Sequence, residues 1–227
     1  MGVPLSKAKP HAAFALHPSP MIIAVDGPAA SGKGTIARAL ARHYGLPHLD
    51  TGLLYRAVGL NLLRWGGDPE SEFAAVRACD FSQSDFSDPE LKSEAVGGVA
   101  SRISAYPLVR AALVERQRDF AGQPGGAVLD GRDIGTVIAP EADAKLFVTA
   151  SPEVRARRRF EELVRMGLQV HYDDVLLDIR ARDERDSSRA AAPLAKAEDA
   201  HLLDTSLYGV DQAIAEAIAA VERRRPR

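Results

Sequence analysis

The sequence predicts an α/β fold, a doubly wound parallel sheet of five strands, and three observations carry that prediction. Short apolar runs recur without polar alternation, as expected of strands covered on both faces. Stretches with helical spacing separate them, the order that builds parallel sheets. The first run ends in a glycine-rich turn that opens a helix, the setting in which backbone amides converge on an anion.

Ile22, Ile23, Ala24 and Val25 form the first strand and lead to Asp26. After the glycine-rich turn, Ile36, Ala37, Leu40 and Ala41 repeat at helical spacing. His48 to Asp50 is a brief second strand, and Asp50-Thr51-Gly52-Leu53-Leu54-Tyr55-Arg56 follows it. From about Pro69 to Gly98 the sequence is polar, includes Ser82-Gln83-Ser84-Asp85, and fits no buried element of such a sheet, so we expect a peripheral insertion. Ala127 to Asp130 and Lys145 to Thr149 are the third and fourth strands. Ser151, Pro152 and Glu153 read as an N-cap, a first helical residue and an early acid. Met166-Gly167-Leu168-Gln169 could hinge this helix against the next, which begins at Tyr172. Leu202 to Asp204 is the fifth strand. Val210, Ile214, Ala217, Ile218 and Val221 mark a last helix, ending in Arg223, Arg224 and Arg225, for which no partner is expected.

These elements divide the chain into a flexible extension at 1–20, ahead of a start at Met21, and core segments at 21–66, 101–153 and 173–227. The insertion takes 67–100 and a short lid 154–172.

The formal net charge of -2 leaves no global basic field, so anion affinity must come from locally placed cations. Nucleic acid is therefore not an expected partner, and 6% aromatic content offers no stacking stripe. Cys79 is the one cysteine, which suits a packed thiol in a reducing compartment. No apolar run suits a membrane helix or a secretory signal, so a soluble cytoplasmic protein is expected, with a monomer as the default.

Gly27-Pro28-Ala29-Ala30-Ser31-Gly32-Lys33-Gly34-Thr35 is the candidate ATP-binding loop. In the strict phosphate-loop pattern a hydroxyl residue follows the lysine directly; here Gly34 intervenes and the hydroxyl comes at Thr35. Lys33 would bridge the β and γ phosphates, and Thr35 would hold Mg2+ directly or through water. The bland alternative, a glycine-rich turn with an exposed lysine, is disfavoured by the strand before and the helix after.

A phosphate monoester acceptor is largely dianionic at neutral pH and needs neutralisation rather than a base. Arginine suits that task because its fork grips phosphate bidentately. Arg56 and the turn Asp130-Gly131-Arg132-Asp133 follow strands, where open α/β sheets bind ligands. On the helix from Tyr172, the apolar positions Val175 and Ile179 continue at helical spacing into Arg182, Asp186 and Arg189, with Arg185 one step aside. Charges on an inward face need partners or a ligand. Internal pairing of Asp186 with Arg182 or Arg189 is the sober alternative. Spacing does not choose which of Arg155, Arg157, Arg158 and Arg159 faces the loop; we place Arg158 there as an ATP contact.

Taken together, VDGPAASGKGT at 25–35, DTGLLYR at 50–56, ASRISAYPLVR at 100–110, LDGRDIGT at 129–136 and ARDERDSSRAAAPL at 181–194 resemble the bacterial cytidylate kinases, P-loop nucleoside monophosphate kinases. The resemblance covers residues 21 to about 224. It implies phosphoryl transfer from ATP to CMP, with dCMP a second acceptor. It also implies that Arg56 and Arg132 hold the CMP phosphate and that Arg182 and Asp186 approach phosphate and ribose, with Lys33, Arg132, Arg182 and Asp186 the catalytic group. Ser101, Arg110, Asp133 and Arg189 would read cytosine, whose exocyclic N4 donor needs an acid such as Asp133. Thr51 stands where many members have Ser, with its hydroxyl kept for the substrate. The insertion would close over the monophosphate. A kinase for UMP, AMP, shikimate or dephospho-coenzyme A is the nearest rival, and Ser101, Arg110, Asp133 and Arg189 argue against it. A nucleotide switch is the rival from another class, yet the Asn-Lys-x-Asp guanine reader is absent.

Overall fold

A computed structural model describes residues 20–82 and 86–224. The expected extension, apart from Pro20, lies outside the described residues, as do Gln83 to Asp85 and Arg225. Five parallel strands, β1 (Met21–Asp26), β2 (His48–Asp50), β3 (Gly126–Gly131), β4 (Ala144–Thr149) and β5 (His201–Asp204), form one sheet in the order β2-β3-β1-β4-β5. The central strands β1 and β3 read as continuous apolar runs because both faces are covered, whereas β4 alternates between buried and half-buried residues and the edge strand β5 leaves Leu202 exposed. Ile23 and Val25 of β1 pack with Ile36 and Leu40 of α1 (Lys33–Tyr44) and with Ala217 and Val221 of α8 (Val210–Glu222). Ala24 points the other way, into a core with Leu129, Ile134, Ile138 and Ala121. β1 has β3 on one side and β4 on the other, and the crevice outside the carboxyl ends of these strands is where such sheets bind ligands.

The segment expected as an insertion shares a second core with the helices on either side of it. α2 (Thr51–Arg64), α3 (Glu72–Arg77), a 3-10 turn at Pro89–Lys92, α4 (Glu94–Ile103) and α5 (Pro107–Ala121) enclose Val58, Leu62, Phe81, Leu91, Val99, Ile103 and Leu113. The polar reading of 69–98 overlooked Ala75, Phe81, Leu91 and Val96, all buried: Ala75 and Leu91 sit on elements too short to display a period, Phe81 lies outside any helix or strand, and Val96 belongs to a helix that runs on past residue 98. Cys79 is buried there, its thiol donating to Ala75 O at 3.5 Å.

α6 (Pro152–Arg165) and α7 (Tyr172–Ser188) form a hairpin around Ala156, Leu163, Val175 and Ile179. Ser151 caps α6 by accepting from Val154 N at 3.3 Å, as the sequence predicts. The C-terminal arginines do not all lack partners: Arg224 donates to Asp199 O at 2.5 Å, since α8 ends beside the loop before β5. Among the described residues no helix is long and apolar enough to cross a membrane.

Candidate active site

Two clefts open at the carboxyl ends of the strands, one on each side of Lys33. The first is built by the β1–α1 loop. Gly27 brings the loop against β4 so closely that a Cβ there would lie 2.0 Å from Val148 O, which no side chain tolerates. Gly32 N-caps α1 without a side-chain cap; the Thr35 amide donates to Gly32 O at 3.1 Å, which leaves the amides of Lys33 and Gly34 for an anion. Arg158 of α6 leans over this loop: its Nη1 donates to Thr205 Oγ1 at 3.0 Å and Ser31 O at 3.4 Å, and its Nη2 to Thr205 O at 2.7 Å. Loop, Arg158, Tyr208, Val210 and Ala213 line an open cleft with an apolar floor. Of the other arginines of α6, Arg159 and Arg165 also line this cleft, and Arg155 Nη1 reaches the loop itself, donating to Ala29 O at 3.3 Å. Arg155 is buried in a bidentate pair with Asp183 at 2.9 and 2.6 Å, Arg157 lies over the Tyr172 ring at 4.6 Å, and Arg159 pairs with Glu94 and Glu162.

The second cleft encloses about 640 Å³ including its mouth. Thr51, Arg56, Ser101, Arg110, Arg132, Asp133, Arg182, Asp186 and Arg189 all line it, brought from α2, α4, α5, the turn after β3, and α7. α4 offers Gly97, Ala100, Ser101 and Ser104 to it at helical spacing, leaving room above the helix. Arg56 is held by backbone: its Nη1 donates to Leu91 O at 2.6 Å and Ser93 O at 3.2 Å. Arg132 Nε donates to Asp186 Oδ2 at 2.6 Å. Asp186 therefore pairs across elements, and it lies 4.0 Å from Nη1 of Arg189, which does not continue the helical spacing because α7 ends at Ser188 and Arg189 is extended. Arg182 Nε lies 2.7 Å from Asp178 Oδ2, yet it is angled so that no hydrogen bond forms. Arg110 pairs with Asp133, both buried, while Arg189 Nη2 approaches the other Asp133 oxygen at 3.8 Å and is left buried without a hydrogen-bond partner. The Thr51 hydroxyl spends its proton on Asp130 O at 2.9 Å, so only its lone pairs face a ligand.

Charge is concentrated between the clefts. Burial, with Arg132 adding to it, pushes the Lys33 ammonium down to about 8, against the pull of Asp130, Asp50 and Asp186. Burial alone would raise Asp186, but Arg132 outweighs it and holds the carboxyl below its ordinary range. Asp50 is raised by burial and by the neighbouring charge of Asp130.

Several site-shaping residues carried no legible sequence signal. Asp26 accepts from Ile134 N and Gly135 N, each at 2.8 Å, and so ties β1 to the turn after β3; burial raises it to about 6. His48 meets Asp130 at 2.6 Å across neighbouring strands. An aspartate ending a strand and a histidine in the next are unremarkable until the strand order is known. The buried Thr136 hydroxyl also lacks a partner, and nothing in the structure explains it.

A phosphate loop on the first strand of a five-stranded parallel sheet, facing an arginine-lined cleft across one lysine, defines a P-loop kinase of the nucleoside monophosphate kinase type. The family model described as cytidylate kinase matches residues 23–223. A protein named cytidylate kinase from Xanthobacter autotrophicus is 62% identical over 206 residues, 90% of this chain and 99% of that one. Another of that name from Azorhizobium caulinodans is 59% identical over 206 residues, covering 90% of this chain and all of its own. Among solved structures, an uncharacterized protein from Eubacterium ventriosum shares the fold, with a TM-score of 0.52 at 17% identity over 89% of this chain and 98% of its own. The chain belongs to the cytidylate kinase family.

Proposed function

We propose that the chain transfers the γ-phosphoryl group of ATP in line onto the phosphate of CMP, and onto dCMP as a second acceptor. The observation that carries this reading is the gathering of all nine expected acceptor residues around one cleft beside Lys33. The acceptor phosphate, a dianion near neutral pH, supplies the attacking oxygen without a base. A bond forms from that oxygen to the γ-phosphorus as the bond from γ-phosphorus to the β–γ bridging oxygen breaks, and ADP carries the charge away. Arg56 and Arg132 neutralise the acceptor, Lys33 bridges the β and γ phosphates, and Arg182 meets the charge spread over the transferred group. Asp186 aims Arg132 and shares the ribose region with Thr51. The Thr35 hydroxyl, at the exposed first turn of α1 and, among the described residues, hydrogen-bonded only by Arg38 Nη2 at 3.5 Å, suits a hard cation. Thr35 would hold Mg2+, whose charge offsets that of the β and γ phosphates, directly or through water.

Base choice follows from the buried donors and acceptors. Asp133, one oxygen committed to Arg110, keeps the other for the N4 amino group of cytosine, and the unpaired Arg189 Nη2 awaits an acceptor on the ring. Uracil offers Asp133 an oxygen instead, and an unmade buried hydrogen bond costs about 1–3 kcal/mol. Segments 67–100 and 154–172 act as flaps over acceptor and donor, excluding water. A coupled assay of ADP release over CMP, dCMP, UMP, AMP and no acceptor tests this. Release should depend on CMP or dCMP. Release with AMP or UMP but not CMP, or without any acceptor, would refute it.

A further inference from the structure

Arg185 has no place in the reaction just described, although it lies on α7 beside Arg182 and Asp186, which do. It is half-buried, and among the described residues it forms no ion pair. Its two hydrogen bonds among the described residues both go to one neutral oxygen. Nη2 donates to Ser101 Oγ at 3.2 Å and Nε at 3.4 Å, joining α7 to α4. A guanidinium directed at a hydroxyl rather than a carboxylate gains less, which points to a purpose other than stability.

The chemistry of the hydroxyl supplies that purpose. A serine hydroxyl has one proton to donate and two lone pairs to accept with, and it rotates to suit its neighbours. Guanidinium can only donate. With two N–H groups converging on its lone pairs, Ser101 is left with its proton as the thing it can offer. Other serines of these helices use that proton locally: Ser104 donates to Ser101 O at 2.9 Å, and Ser188 to Glu184 O at 2.6 Å. Among the described residues none takes the proton of Ser101, and the residue lines the acceptor cleft.

We propose that Arg185 is a positioning residue for base selection: by occupying the lone pairs of Ser101 it fixes that hydroxyl as a donor toward the pyrimidine ring. A fixed donor suits cytosine, whose N3 is an acceptor, and opposes uracil, whose N3 carries a hydrogen. A hydroxyl free to rotate would serve either base. The inference rests on the reading of the acceptor cleft as a cytosine site.

The test is a double-mutant cycle read as the ratio of kcat/KM for CMP to that for UMP, in the full-length protein. Arg185→Met should lower the ratio about tenfold, the size of one misdirected buried hydrogen bond. Arg185→Lys, still a donor without an acceptor, should keep most of it. Arg185→Gln, whose carbonyl can take the serine proton, should lose it. In a Ser101→Ala background Arg185→Met should change the ratio no further, because its partner is gone. An additive cycle, or equal losses with CMP and UMP in Arg185→Met, would overturn the role through Ser101. A wild-type protein with no preference for CMP would remove the cytosine reading itself and this inference with it, and that result is visible before any variant is made.

Discussion

At the scale of single residues, Lys33 ties the electrostatics of the site to pH. Its ammonium is held down to about 8 by burial and by Arg132. The free enzyme should therefore lose the charge that attracts ATP as pH rises through about 8, and kcat/KM for ATP should fall there. Between about 8 and the ordinary 10.5 the unfolded chain holds the extra proton, so this group makes stability rise with pH over that window. At neutral pH the folded state bears the cost of a desolvated charge. Lys33→Met should accordingly be at least as stable as the wild type at pH 7, by chemical denaturation, while losing turnover. Gly97 makes a second residue-scale prediction. A Cβ there would lie 2.8 Å from Arg56 Nη2, and Arg56 is pinned on its other side by Leu91 O at 2.6 Å, so it cannot retreat without breaking that bond. Gly97→Ala should raise KM for CMP about tenfold or more, since small misplacements at a reacting centre are expensive, with little change in thermal midpoint. The residue types of the site were legible because phosphate and cytosine chemistry demand them. Their pairings were not: that Asp186 would choose Arg132 from another element, and that Thr51 would give its proton to the backbone, depends on strand order.

At the scale of elements, what could be read was what repeats. The strands showed as continuous apolar runs, and α7 showed as an apolar stripe passing into charge; Val175, Ile179 and Asp186 are indeed buried along it. α6 shows where periodicity fails. Four arginines in five positions are equivalent to any sequence argument, and only packing against α7 separates Arg155, joined bidentately to Asp183, from Arg158, laid over the phosphate loop. Removing the first should therefore loosen the hairpin, together with the tie from Arg155 Nη1 to Ala29 O of the loop. Arg155→Met should destabilise the protein by about 2 kcal/mol in urea titrations, because Asp183 keeps some access to water while the buried half of the pair is lost. The insertion was illegible for a different reason. Its helices are short, so buried side chains such as Ala75 and Leu91 never recur often enough to mark a face.

At the scale of the whole molecule, a chain of net charge -2 binds two polyanions because the fold sorts its charges instead of accumulating them. Strand ends deliver Lys33, Arg132 and Asp50 to one crevice, while α2, α5, α7 and the residue that caps α7 surround it with Arg56, Arg110, Arg182 and Arg189. Donor and acceptor clefts should face each other across Lys33 closely enough for direct transfer. Titration calorimetry with cytidine and adenosine joined through their 5′ oxygens by five phosphates tests it most directly. One molecule should bind per chain, at least about a hundredfold more tightly than CMP or ADP alone, because the second half binds at high effective concentration. Affinity no better than that of ADP, or two molecules per chain, would contradict the account.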